Sequence, residues 1–153
     1  MKKLLTVVVA IGMMVSLNVQ AASDFAVNTN WKSGWAQGTD EYAAASEDNS
    51  TYVLISCDDT EPTELWFGMF NNANDKPVAG PVSITIDGKT IANPFSAATY
   101  GTPEGYKKFW AELRNAKSLS FTVGNTTKSF TTKELATSLP AYDSPDFSCK
   151  LGF

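Results

Sequence analysis

The residues whose types and spacing invite chemistry are two tryptophans, Trp31 and Trp35, and a run of acids, Asp58, Asp59 and Glu61. In Trp31-Lys32-Ser33-Gly34-Trp35, alternate residues share one face of a strand, so the two indoles point the same way. Two indoles on a glycine-containing strand make a candidate platform for a carbohydrate or another small ligand. The competing use of the same two side chains is core packing. Asp58-Asp59-Thr60-Glu61-Pro62-Thr63 is a polar turn. Its carboxylates are calcium ligands in kind, but their spacing fits no calcium loop and the glycine of an EF-hand loop is missing. Asp58, Asp59 and Glu61 are therefore read as a solvated tip and a candidate partner-binding loop, because loops held by rigid strands carry recognition.

Catalysis has little to work with. The chain has no histidine, which removes the commonest general base and any Ser-His-Asp or Cys-His arrangement. Neither Ser-x-x-Lys nor Gly-x-Ser-x-Gly occurs, and no glycine-rich phosphate loop follows a strand. What survives is hydrolysis of a glycoside by a carboxylate pair, with Glu41, Glu47, Asp48 and Glu104 as formal candidates. Sequence places no two of them across a sugar. Two cysteines without a histidine cannot complete a zinc shell. No catalytic residue, metal or cofactor is expected.

These residues must be positioned by strands. Thr51–Cys57 places Val53, Ile55 and Cys57 on one face, and Glu64–Phe70 follows across the acidic turn. Both segments are apolar on both sides, which predicts central strands covered on each face, or one face shielded by a helix. Thr39–Asn49 reads as a strand pairing with Trp31–Gln37, although its alanines favour helix. Val82–Ile86 alternates, Asp87-Gly88 is a two-residue hairpin turn, and Lys89–Ala92 returns. Thr102 caps a helix that Pro103 begins, and Tyr106, Phe109, Trp110 and Leu113 form its apolar face over about 103–115. Leu119–Val123 and Lys128–Thr131 form a second hairpin around Gly124-Asn125. Thr131-Thr132-Lys133-Glu134 fits a capping box for a short C-terminal helical turn over Lys133–Ser138. The fold class is mainly β: an antiparallel β-sandwich or flattened barrel with one amphipathic helix.

The chain opens with Met1-Lys2-Lys3, an apolar run from Leu4 to about Leu17, and Val19 and Ala21 at the −3 and −1 positions of a cut. That is the pattern of a secretory signal peptide over residues 1–21. The run is shorter than the roughly 20 residues of a spanning helix, so no stable membrane anchor remains after cleavage. The rest, residues 22–153, reads as one β-rich domain. Without Lys2 and Lys3 it carries 10 basic against 16 acidic residues, a formal charge of −6. No basic patch invites nucleic acid. Cys57 and Cys149 are the only cysteines, and an even count in an exported chain favours a disulfide.

Val53-Leu54-Ile55-Ser56-Cys57, Leu65-Trp66-Phe67, Val82–Ile86 with Asp87-Gly88, Phe109–Leu113, Leu119–Val123 and the late Cys149 together resemble the invasion-associated locus B family of exported bacterial proteins. The resemblance spans about Trp31–Cys149. It implies a compact β-sandwich or barrel-like module without a known catalytic centre, with Cys57 and Cys149 in a structural role. The function expected is a periplasmic or secreted, non-catalytic protein-interaction module, such as an inhibitor, immunity or exclusion factor of a bacterium or its phage. Its partner would be another protein, of basic charge. The alternatives are a carbohydrate-binding module using Trp31 and Trp35, and a carboxylate-only hydrolase.

Overall fold

The computed structural model describes residues 28–58, 60 and 65–153. Among these, eight strands form two open antiparallel sheets and no closed barrel. The first sheet runs in chain order: β1 (Lys32–Ala36), β2 (Thr39–Ala45), β3 (Thr51–Asp58) and β4 (Leu65–Asn71). The second has the order β6 (Lys89–Ala92), β5 (Val82–Ile86), β7 (Leu119–Val123) and β8 (Thr126–Phe130). A short helix α1 (Ala97–Tyr100) and the longer α2 (Pro103–Arg114) connect β6 to β7, and α3 (Leu135–Ser138) follows β8. No described helix is long and apolar enough to cross a membrane.

The core forms where the inner faces meet. Val53, Ile55 and Met69 from the first sheet join Ile84, Phe121 and Val123 from the second. Phe67 stacks on Phe121 with ring centroids 5.1 Å apart, which bridges the two sheets. On the second sheet the alternation is clean in the central strands β5 and β7, whose outward positions are serines and threonines, and hydroxyls pair across to the edge strands at Thr85–Thr90 (2.8 Å) and Thr122–Thr127 (2.9 Å).

The first sheet departs from expectation at β4. An apolar pattern on both faces predicts a covered strand, yet β4 is an edge and Trp66 is 51 % exposed. The apolar outer side is instead filled by rings lying over Gly68. A Cβ there would stand 2.5 Å from Trp66 Cη2 and 2.8 Å from Phe70 Cε2. Phe70 in turn stacks on Tyr52 at 5.0 Å. Part of the open edge is closed by the following loop, where Val78 N–H donates to the Met69 carbonyl (2.8 Å).

Helix α2 starts as its sequence dictates: the Thr102 hydroxyl accepts from Gly105 N–H (3.2 Å) and Pro103 occupies the first turn. Its buried face is Tyr106, Phe109, Trp110 and Leu113. Much of what this face meets is the C-terminal tail. Tyr106 Oη donates to the Cys149 carbonyl (2.9 Å) and Trp110 Nε1 to the Pro140 carbonyl (2.9 Å). Arg114 donates to the carbonyls of Leu139 (2.7 Å) and Ala136 (2.8 Å). The expected capping box before α3 does not form. Glu134 takes a left-handed conformation (φ 64°) with no side-chain cap, and the Thr131 hydroxyl accepts from Lys133 N–H instead (3.1 Å).

Candidate functional site

Cys57 and Cys149 are joined in a disulfide across 92 residues, with Cα atoms 4.9 Å apart and both side chains buried. In the strand register Asp40 lies opposite Cys57, and Cys57 opposite Leu65. The bond therefore pins the tail beside the row Asp40, Cys57 and Leu65, at the turn end of β1 and β2. Residues on either side of Cys149 then line different hollows. Ser144 and Asp146 line a depression of about 500 Å³ with Trp35, Asp40, Tyr42 and Ser138. Leu151 and Gly152 line another of about 600 Å³ with Asp58, Leu65, Trp66 and Phe95. Each hollow is bordered by an exposed indole, Trp35 at 64 % and Trp66 at 51 %.

The Trp35 depression is acidic. The Ser148 hydroxyl donates to Asp40 Oδ2 (2.6 Å). Neither Asp40 nor Asp146 is among the ion pairs of the described residues, which are Lys89–Glu112, Lys107–Asp143 and Lys128–Asp48. Among the described residues its lining carries no lysine or arginine. Burial pushes the Tyr42 hydroxyl up to about 12; the negative charges of Asp40 and Asp146 add to this, and a hydrogen bond with Ser148 opposes it. One buried hydroxyl thus feels both carboxylates.

The platform of two indoles does not form. Trp31 is 1 % exposed; its Nε1–H donates to the Thr131 carbonyl (2.9 Å) and its ring tilts against Phe121. That carbonyl satisfies the one polar atom of the indole, so the whole ring is buried at no cost in lost hydrogen bonds. Trp35 sits opposite Asp40 at the far end of β1, where the solvent-facing depression begins. Asp58 closes β3 and lines the second depression; its Oδ1 accepts from Thr60 N–H (2.8 Å) and from the Thr60 hydroxyl (2.7 Å). Asp59 and Glu61 lie outside the described residues.

The four carboxylates considered for hydrolysis are not gathered at either hollow. Asp48 pairs with Lys128 (2.6 Å) and accepts from Ser46 and Ser50; these contacts, that with Lys128 first, hold its carboxyl well below the usual range. Glu47 is exposed in the β2–β3 turn, and Glu104 is exposed in the first turn of α2. Glu41, in β2, is 7 % exposed; its Oε2 has no hydrogen-bond partner, and burial raises its carboxyl. A raised carboxyl is the signature of a general acid, but no second candidate stands with Glu41 at a hollow. Among the described residues no cluster of three or more His, Cys, Asp or Glu could hold a metal.

Sequence reasoning missed Asp40, Tyr42 and Asp146. The only signal pointing to them was the cysteine pair, which implied that the tail returns to β3.

A family model described as YfjT matches residues 29–139, a span that contains both sheets and ends before the tail bearing Asp146 and Cys149. This match overturns the resemblance to the invasion-associated locus B family, to which no match is found. Alternating strands, an Asp-Gly hairpin turn and a late cysteine are answers to packing and export that unrelated β-domains share, so they do not discriminate between families. No curated protein and no solved structure matches the chain.

Proposed function

The chain belongs to the YfjT family, and on that premise we propose that it is an exported, non-catalytic module that binds another protein in an oxidising compartment, the periplasm or beyond. The observation that carries this reading is the end of the sandwich at Cys57–Cys149, where two hollows, each with an exposed indole, lie beside a covalently pinned tail. Tryptophan is enriched among the residues that dominate protein interfaces. A braced backbone also loses less freedom when it docks. The buried disulfide suits an oxidising compartment. It agrees with a signal peptide over residues 1–21, cut after Ala21. The acidic balance of the chain steers it toward a basic partner. An inhibitor, immunity or exclusion factor has these requirements.

A second reading is favoured by the hydroxyls of Ser33, Thr137, Ser138 and Ser144 around Trp35: a sugar stacked on that single indole. Salt separates the two readings, because ionic docking weakens with added salt and stacking of a neutral sugar does not.

The test immobilises the mature chain, residues 22–153, and passes periplasmic extract over it beside a Trp35→Ala/Trp66→Ala variant of matched melting temperature. The reading expects a defined protein retained at low salt by the wild type and lost by the variant. Equal retention by both would remove the indole-bordered end as the docking surface. Capture of soluble glycan with no protein would favour the sugar reading.

A further inference from the structure

We infer that the Trp35 depression is an arginine-binding site: the guanidinium of a partner protein lies flat on the Trp35 indole, between the carboxylates of Asp40 and Asp146. This rests on the protein-binding reading above and names the chemistry of the contact.

The hollow has a suitable size and opening. At about 500 Å³ it falls within the roughly 300–1,000 Å³ of ligand-binding pockets. Its rim carries a largely exposed indole, the aromatic ring that attracts cations best. Asp40 and Asp146 both line it, and neither is ion-paired among the described residues. Asp40 Oδ2 is taken by the Ser148 hydroxyl, while its Oδ1 accepts no hydrogen bond among the described residues. The Asp146 backbone N–H donates to Ser144 Oγ (3.3 Å), yet its carboxylate makes no hydrogen bond or ion pair among the described residues. Two such charges converging on one buried tyrosine repel each other, and a cation placed between them relieves that repulsion. The tail cannot swing away to relieve it, because Cys149 is bonded to Cys57 and Tyr106 holds the Cys149 carbonyl.

The form of the cation follows from the same geometry. A calcium ion takes six to eight oxygen ligands, and the described residues offer no cluster of three acidic or sulfur ligands. A stacked ring beside a pair of carboxylates fits a flat, many-donor cation. Guanidinium stacks on aromatic faces and presents a fork of N–H donors, whereas an ammonium is a compact, strongly hydrated point charge. Arginine is therefore preferred to lysine. The hollow opens to solvent at the end of a strand, so the side chain arrives on a segment of another protein.

The experiment uses the mature, oxidised chain with nitrogen-15 tryptophan labelling. The Trp35 indole resonance is assigned by its loss in Trp35→Phe. Three blocked tripeptides are titrated, identical except for a central arginine, citrulline or lysine; citrulline keeps the shape of arginine without its charge. The expected result is a saturable shift of the Trp35 resonance with the arginine peptide, weakened by added salt. Citrulline should bind about tenfold more weakly or not at all. Asp146→Asn should raise the Kd about fivefold. That variant is the decisive one, because its carboxylate holds no described hydrogen bond, whereas Asp40→Asn also disturbs Ser148. An equal response to citrulline or to lysine overturns the site, as does an unchanged Kd in Asp146→Asn. So does a shift with a neutral disaccharide and none with the arginine peptide. Failure of the parent reading looks different: arginine binding as stated, with no protein retained from extract at any salt, supports the site and removes protein docking. A partner retained equally by wild type and Asp146→Asn keeps docking and overturns the arginine site.

Discussion

Removing the disulfide tests how the tail is held. The perturbation is Cys57→Ala with Cys149→Ala, studied beside reduced wild type so that the loss of the bond and the loss of the sulfur atoms are separated. The bond spans 92 residues. In the chain-entropy model, closing a loop of that length in the unfolded state is worth about 4–5 kcal/mol. The folded state keeps other anchors. The Tyr106, Trp110 and Arg114 side chains bond tail carbonyls, and Phe147 and Leu151 are buried in the core cluster. The fold should therefore survive reduction, with its stability lowered through the unfolded chain. Residual structure in that chain trims the figure, so the expected loss is about 3–5 kcal/mol. At about 3–5 °C per kcal/mol for a domain of this size, the melting temperature falls by roughly 10–20 °C. Urea unfolding of oxidised, reduced and doubly substituted protein measures this directly. A loss under about 1 kcal/mol on reduction would refute the loop-entropy argument. A separate early transition on reduction, in which the tail leaves while the sheets stay folded, would show that these anchors do not hold the tail without the bond.

Two further predictions rest on local geometry. Gly124 has φ +58°, and a Cβ there would stand 2.6 Å from the Ala79 carbonyl oxygen, so Gly124→Ala should cost about 2–4 kcal/mol, read from the urea midpoint; a cost under about 1 kcal/mol would show that the Ala79–Gly80 segment yields freely. Burial raises Tyr42 and Tyr52 to about 12 and lifts Tyr106 further still. A folded-state value above the unfolded value of about 10 gives stability that is complete below pH ~10 and is lost as pH rises through the folded value. Tyrosinate absorbance should then lag behind that of a model tyrosine and appear together with loss of circular dichroism. All five tyrosines titrating near pH 10 in folded protein would falsify it.

The elements that could be read from sequence are those whose causes are neighbours in the chain. Val82–Ile86, Asp87-Gly88 and Lys89–Ala92 form with the bounds their alternation predicts. The turn is held further by Asp87, whose carboxylate accepts from the Lys117 and Ser118 amides (both 2.8 Å). Helix α2 falls within one residue of its predicted end, because cap, proline and apolar spacing all act locally. The alanines of β2 favour helix intrinsically, yet Ala43, Ala44 and Ala45 are buried in a strand between β1 and β3; sheet pairing overrides a preference of a few tenths of a kcal/mol per residue. For β4, apolarity on both faces could not distinguish a covered strand from an edge strand whose own rings fold over a glycine. Capping at Glu134 failed for a similar reason, since the pattern says nothing of what the neighbouring Thr131 hydroxyl already binds.

The site was hidden for a different reason: its parts are far apart in sequence. Ser148 reaches Asp40 across 108 residues, and no spacing rule spans that distance. The one covalent clue was the cysteine pair, and combined with strand register it goes further than fold. Asp40 lies opposite Cys57 in the β2–β3 pairing. Bonding Cys149 to Cys57 therefore obliges Ser148 to approach Asp40, and brings Asp146 to the same hollow two residues earlier. Like charges so placed would separate if the tail were free, because each carboxylate gains by moving toward water. The disulfide prevents that. Its energetic role and the role proposed for it in binding would then be one constraint: it narrows the unfolded ensemble, and in the folded state it holds beside Trp35 two carboxylates that no cation among the described residues pairs, so that on the arginine reading little of the binding energy would be spent in assembling them.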